Sequence, residues 1–218
     1  MSRFELLTHS ATFLKEFDEA TREAIRPIRP HYLGMSSIGR CAREQWYRYH
    51  MKEGLAMPPP ANLQRIFDLG HDIEERVMTY LRAMPNLNIL SMQGGYEDFG
   101  GLFRGHSDLV YALPSGDKVV LDVKSMNARG FDRFLRSTLR EYDWAYYAQL
   151  QCYAGYEGAA HVQLLAYNKD TSEVATLFED FNERDFHMFR ERAYMISSAT
   201  EPPPCEKGNG RVKYCNCV

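Results

Sequence analysis

The chain has 218 residues, 44% of them apolar and 13% aromatic, with a formal net charge of −3. This composition suits one globular domain with appendages and excludes an intrinsically disordered chain. The charge balance gives no sign of a polyanion partner, so any nucleic-acid site has to be a local patch, and no apolar run approaches the roughly 20 residues of a membrane span.

The first twenty residues carry charges where a signal peptide needs an apolar stretch. A cytoplasmic chain with reduced thiols is the expectation. Residues 10–25 predict a helix. RPIRPHY (26–32) predicts an extended break, because proline disfavours helix at the residue before it. A helix is expected from Ser36 to about His50, with Ser36 or Ser37 as its cap. MPPPAN (57–62) interrupts. Asn62 is then the expected cap of an amphipathic helix over 63–84, with Ile66, Leu69, Ile73, Val77 and Leu81 on one face. Strands are expected over 88–99, 102–113 and 117–124, the last two joined as a hairpin through Pro114, Ser115 and Gly116. A long helix is expected over 131–157, strands over 161–169 and 173–180, and a helix over 182–198 that ends before EPPP (201–204). No internal repeat interrupts this order. It describes an α/β sandwich, with helices on the faces of a mixed sheet.

The hairpin carries charges that a strand core rarely admits without partners. In KVVLDVKS, Asp122 and Lys124 are two apart and leave one face of the strand, while Val119, Leu121 and Val123 leave the other. Asp108 lies on the partner strand, where pairing can bring it to the same end of the sheet. Two converging carboxylates can bind a hard divalent cation, and a lysine beside them can stabilise a developing phosphorane charge. A salt-bridged pair at a strand end is the plainer alternative for Asp-x-Lys alone.

Three further pieces stand in order around that pair. Gly70-x-x-x-Glu74 lies on the amphipathic helix, Gly105-x-x-Asp108 on the strand before, and Gln149-x-x-x-Tyr153 on the helix after. Gln149 and Tyr153 are i and i+4, hence on one helical face. Together the four pieces resemble the RecB-like PD-(D/E)XK nucleases over roughly residues 36 to 217. The resemblance implies a restriction-endonuclease-like core. It implies a metal-dependent DNase, an exonuclease on single-stranded or frayed ends, in recombination, repair, phage DNA metabolism or spacer capture. Glu74, Asp108, Asp122 and the carbonyl of Val123 would hold Mg²⁺ or Mn²⁺, and Lys124 would position water or stabilise charge. Gln149 and Tyr153 would line the scissile end. Relatives with cysteine clusters carry histidine where this chain has Glu74, so His71, three residues earlier, is a second candidate ligand. The spacing from Gly70 favours Glu74. A non-catalytic DNA-end-binding subunit on the same fold is the alternative function, and the joint presence of Asp108, Asp122 and Lys124 argues for the enzyme.

Arg129, Arg133, Arg136 and Arg140 recur at spacings of four, three and four beside the apolar Phe131, Phe134, Leu135 and Leu139. They predict a basic ridge for backbone phosphates, with Arg40, Arg43 and Arg48 as additions. An ordinary solvated cationic face is the competing reading. Phosphate contacts carry no base readout, so little sequence specificity is expected.

Five cysteines remain. Cys152, inside the Gln149–Tyr153 helix, reads as a small buried hydrophobe. Cys41, Cys205, Cys215 and Cys217 are bunched near two remote places, and four thiolates on one centre suit zinc or an iron–sulfur cluster. Ser36, Cys41, Arg43 and Trp46 resemble the N-terminal cysteine segment of the iron–sulfur members of the same nucleases, which include AddB-type and CRISPR-associated spacer-acquisition enzymes. That resemblance implies a structural [4Fe–4S] cluster, with Zn²⁺ as the alternative, joining the N- and C-terminal segments. The expected division is a helical extension (1–35), a nuclease core (36–200) and a cysteine-rich segment (201–218). DNA is the expected partner, with other proteins of a recombination or repair complex.

Overall fold

The strand-forming runs assemble into one six-stranded mixed sheet. The structure, a computed structural model, describes residues 3–23, 32–50 and 59–207. Most of the RPIRPHY break, the start of MPPPAN, Cys215 and Cys217 lie outside the described residues. In chain order the elements are α1 (Arg3–Glu23), β1 (Leu33–Gly34), α2 (Ala42–His50), α3 (Ala61–Arg82), β2 (Asn88–Asp98), β3 (Phe103–Ala112) and β4 (Lys118–Met126). Then come α4 (Ala128–Phe134), α5 (Leu139–Tyr142), α6 (Trp144–Glu157), β5 (His161–Asn168), β6 (Val174–Asp180) and α7 (Glu183–Ser198). Among the described residues no helix is long and apolar enough to cross a membrane.

β2 and β3 are antiparallel along most of their length. β4 pairs antiparallel with only the far end of β3, Leu109 to Ala112. It then runs on parallel to β5 from Val119 to Met126. β6 closes the far edge antiparallel to β5. The two-residue β1, too short to leave a pattern in the sequence, pairs parallel with Phe103 and Arg104. Two cores lie on the two faces. Val77, Met78 and Leu81 of α3 pack on Leu109, Val119, Leu121 and Val123. The other face takes α6, with Val110, Val120, Val162 and Leu164 beneath Ala148, Leu150 and Cys152.

The expected helix over 131–157 is three helices. Asn127 Oδ1 accepts from Gly130 N, Thr138 forms a capping box with Glu141, and the Asp143 carboxylate accepts from Ala145 N and Tyr146 N. Each cap supplies an acceptor for orphan N–H groups and starts a new helix, so apolar periodicity runs across two breaks. The stripe on α3 is also only half buried. Val77 and Leu81 are inside, whereas Ile66 and Leu69 are 49% and 44% exposed. The N-terminal half of α3 also meets α1, through Arg65 Nη1 and Asp18 Oδ1 at 2.7 Å. Its N-cap is Pro60, not Asn62. Ser36 and Ser37 lie in a short 3₁₀ turn, and α2 begins only at Ala42. The separation has a steric reason: a Cβ on Gly39 would come within 2.7 Å of Ala145 Cα, so this turn touches α6 backbone to backbone.

The chain from Ser198 to Lys207 folds back over α2. Arg43 Nε donates to Pro203 O at 2.8 Å and Trp46 Nε1 to Ala199 O at 2.9 Å. Glu206 forms an ion pair with Arg192 and accepts from Ala42 N at 2.7 Å, so it caps α2 from a remote part of the chain.

Candidate active site

The site forms where the β3–β4 ladder ends. Beyond Leu109↔Leu121 the two strands no longer pair, although β4 continues along β5. The buried Val123 N–H therefore needs another acceptor, and Asp108 Oδ2 supplies it at 2.7 Å. Asp122 is 1% exposed. Its Oδ1 accepts from Gln149 Nε2 of α6 at 2.7 Å, and its Oδ2 lies 2.6 Å from Lys124 Nζ. The latter is a close, charge-assisted ion pair. Gln149 Nε2 also donates to the Tyr153 hydroxyl at 3.1 Å. Asp108, Asp122, Lys124, Gln149 and Tyr153, scattered over 46 positions of sequence, are thus brought together.

Glu74 approaches from α3. Its Oε1 accepts from Gln93 Nε2 at 3.2 Å, and its charge is felt by both aspartates. His71 Nδ1 stands 3.9 Å from Glu74 Oε2 with its side chain 81% exposed. His71 is therefore turned to solvent beside Glu74, one helical turn from it along α3.

Burial, and then the neighbouring charge of Asp122, push the Asp108 carboxyl up to about 8. Burial also raises Asp122, against the opposing pull of Lys124. Burial works to lower Lys124, but Asp122 and Asp108 outweigh it and hold the ammonium above the usual lysine range. The site therefore holds two carboxylates poorly compensated as anions beside one permanent cation.

Among the described residues no three His, Cys, Asp or Glu side chains converge as a ready-made metal cage. Asp108 is turned to a backbone N–H and Asp122 to Lys124 and Gln149. The donor set nevertheless fits a hard cation: two buried carboxylates raised by desolvation, with Glu74 alongside.

A cavity of about 380 Å³ opens next to Tyr153 and Gly105. Ser37, Gln45, Arg48, Arg104 and His106 line it, and among the described residues no carboxylate does. Gln45 is 2% exposed; its Oε1 accepts from Ser37 Oγ at 2.7 Å, while its Nε2 has no partner. Gln45 was not legible as a functional residue, since its one signal is a place one turn into the helix after Cys41.

The arginines do not form one ridge. Arg129 and Arg133 are on α4, Arg136 is in the turn after it and Arg140 is on α5. Arg133 lies 4.6 Å over the Tyr142 ring. Arg140 Nη1 is 3.2 Å from Asp185 Oδ2 and its guanidinium covers Trp144 and Tyr147, so it ties α5 to α7. The capped breaks between the short helices place the four arginines on separate elements.

Cys152 is fully buried in α6, as expected, and burial pushes its thiol up. Cys41 is buried just before α2, and Glu206 N–H donates to its Sγ at 3.5 Å, which brings the chain at Cys205 alongside. Cys215 and Cys217 lie outside the described residues, so only Cys41 and Cys205 of the four expected ligands are described, and no metal-binding group is found among the described residues.

The mixed sheet with its parted strand pair, flanked by helices on both faces, is a fold known from solved structures. Solved exonucleases share it. A phage-related exonuclease from Haemophilus somnus 129PT matches with a TM-score of 0.56 at 13% identity, over 76% of this chain and 92% of that one. The alkaline exonuclease LHK-Exo from Laribacter hongkongensis matches with a TM-score of 0.54 at 12% identity, over 82% of this chain and 90% of its own. LHK-Exo in complex with dAMP matches with the same TM-score and identity, over 84% and 89%. No family model and no curated protein matches the chain.

Proposed function

We propose that this chain is a metal-dependent deoxyribonuclease that removes nucleotides from single-stranded or frayed DNA ends. One observation carries the reading: buried Asp122, ion-paired to Lys124, stands beside Asp108 where β3 and β4 part. The exonucleases that share the fold support it, one of them in complex with dAMP. Asp108, Asp122, Glu74 and the Val123 carbonyl would hold Mg²⁺ or Mn²⁺, which when bound activates water and offsets phosphoryl charge. Lys124 stays protonated, so it acts as a fixed cation facing the developing negative charge and takes no proton. Gln149 orients Asp122 and donates to the Tyr153 oxygen, leaving the Tyr153 O–H available to a phosphate oxygen. The cavity beside Tyr153 suits a strand end: among the described residues it has cationic side chains, an amide donor without a partner and no carboxylate. Arg129, Arg133 and Arg136 extend the phosphate path.

End-labelled single- and double-stranded DNA, offered with Mg²⁺, Mn²⁺ or chelator, tests the reading. Wild-type protein degrades the DNA only with the metals, and Lys124→Ala or Asp122→Ala slows it by at least about a hundredfold while remaining folded. Undiminished cleavage by purified Asp122→Ala protein sinks the assignment. Binding of ends without hydrolysis under any metal replaces it by a DNA-end-binding subunit.

The same reading includes a cysteine-ligated centre, [4Fe–4S] with Zn²⁺ as the alternative, on Cys41, Cys205, Cys215 and Cys217. The fold-back of residues 198–207 over α2, with Glu206 N–H on Cys41 Sγ, supports it. Anaerobically purified protein is then brown and contains iron and acid-labile sulfide. Cys41→Ala bleaches it, whereas Cys152→Ala does not; zinc in place of iron makes the staple a zinc site. By this reading the chain works in the cytoplasm, in recombination, repair or phage DNA metabolism, with other proteins of such complexes as partners. Residues 1–35 and 201–218 serve as appendages to the 36–200 core.

A further inference from the structure

Gln93 stands in the middle of β2 with φ +53°, a left-handed conformation disfavoured for any residue with a Cβ. A glycine would adopt it without penalty. Two glycines follow directly, at 94 and 95, and neither has a positive φ. The chain thus puts a long amide side chain at the one position of β2 where glycine would serve the backbone better.

The register shows what this conformation does. Met92 pairs with Leu109 and Gly94 with Ser107, so Gln93 stands across from Asp108, and the ladder skips that position. On one side of the skip, Met92 and Leu109 pack in the core under α3. On the other side, Tyr96 packs against Tyr153 of α6 and bonds Ser107 Oγ. Residues 92 and 96 of a regular strand share a face. Here they lie on opposite faces, so the pleat of both strands turns over at Gln93 and Asp108. At the same place Gln93 Nε2 donates to Glu74 Oε1 at 3.2 Å.

We propose that Gln93 is a positioning residue for the cation site. Its left-handed backbone turns the β2–β3 pair over at Asp108, and its amide holds the Glu74 carboxylate toward Asp108 and Asp122. Affinity for the cation is thereby set from β2, by a residue that need not touch the metal. This rests on the metal-dependent reading above.

Gln93→Gly keeps the backbone turn and deletes the amide; Gln93→Asn tolerates the same conformation with an amide too short to reach Glu74, and covers the case in which the glycine variant misfolds. The probe is Mn²⁺ alone, titrated into full-length protein without DNA and followed by electron paramagnetic resonance. Either variant binds Mn²⁺ roughly tenfold more weakly than wild type, its cleavage needs correspondingly more Mn²⁺, and the metal-free melting temperature of Gln93→Gly does not fall. On a Glu74→Gln background the Gln93→Gly change adds no further loss, because both remove the same tie. Wild-type Mn²⁺ affinity in both Gln93 variants, or full additivity with Glu74→Gln, overturns the proposal. If wild-type protein binds no Mn²⁺ the metal-dependent reading itself fails, and melting temperatures of the metal-free single and double variants then decide: non-additive shifts support the Gln93–Glu74 tie, additive shifts overturn it.

Discussion

The β3–β4 hairpin has two halves built from the same strands. In the closed half, Leu109 to Ala112 pair with Lys118 to Leu121, and Leu109, Val110, Val119, Val120 and Leu121 are almost wholly buried. Main-chain groups there satisfy one another, and side chains have only to be apolar and of the right size. In the open half the ladder is gone, Val123 N–H turns to the Asp108 carboxylate, and Asp122 and Lys124 occupy positions that would otherwise be core. The difference shows how a sheet makes room for chemistry. Parting two strands creates buried main-chain donors, and a side chain recruited to satisfy one of them is fixed there as a buried acid. Stability is concentrated in the closed half and given up in the open half.

That contrast breaks most sharply at Asp108. Its carboxyl sits at about 8 in the folded protein, through burial first and Asp122 second, and near 3.9 in an unfolded chain. Between those values the folded state keeps a proton that the unfolded state has lost. Metal-free protein therefore loses stability as pH rises from about 4 to about 8. Asp108→Asn keeps an acceptor for Val123 N–H and removes the titration. We expect cleavage to fall at least about a hundredfold, while urea unfolding at pH 8 shows the metal-free variant more stable than wild type by at least about 1 kcal/mol. A variant less stable than wild type at pH 8 would mean that the open half is not held under electrostatic stress.

The next effect is steric. A Cβ on Gly105 would lie 2.5 Å from Tyr153 Cε1 and 2.8 Å from Met35 Cβ. Gly105→Ala should lower stability by about 1–3 kcal/mol through overpacking, and lower kcat by moving Tyr153 off Gln149. Urea midpoints and single-turnover rates measure the two separately, and a neutral result in both would show that the glycine is not needed for this approach.

The smallest effects belong to the arginines, and they separate by partner. Charge reversal at Arg133 and Arg136 should weaken DNA binding evenly across sequences and reduce the salt slope by about one for each phosphate no longer neutralised. Charge reversal at Arg140 should act on stability instead, because it places a carboxylate against Asp185. Salt-dependent binding isotherms and melting curves of the three variants check this. An unchanged salt slope at Arg133 and Arg136 leaves them an ordinary solvated face.

Much of the fold follows from local pattern, because alternation and turn residues act within a few positions. The strands at 88–98, 103–112, 118–126, 161–168 and 174–180 fall within one or two residues of the runs that predict them. The placement of Asp122 and Lys124 on one strand face, opposite Val119, Leu121 and Val123, follows from the two-residue repeat alone. The order Gly70–Glu74, Gly105–Asp108, Asp122–Lys124, Gln149–Tyr153 names the candidate residues without any tertiary information.

Other features were decided by what the elements meet. The caps at Asn127, Thr138 and Asp143 are local signals, but three short helices and one long one share the same apolar period, and only the side-chain-to-backbone bonds choose between them. Ile66 and Leu69 carry a core-facing pattern, yet both stay exposed, at 49% and 44%. Arg140 reads as part of a basic ridge until Asp185, 45 residues later, lies beside it. Gln45 and Gln93 have no signature in sequence, since an amide becomes a candidate only through what surrounds it: a cavity without acids among the described residues for one, a left-handed bend facing Asp108 for the other. Sequence by itself determined which residues carry charge and which strand face they leave, because those depend on neighbours two to four positions away. Tertiary structure alone decided which of those charges are buried together, because desolvation and pairing depend on segments that the chain brings in from far along its length.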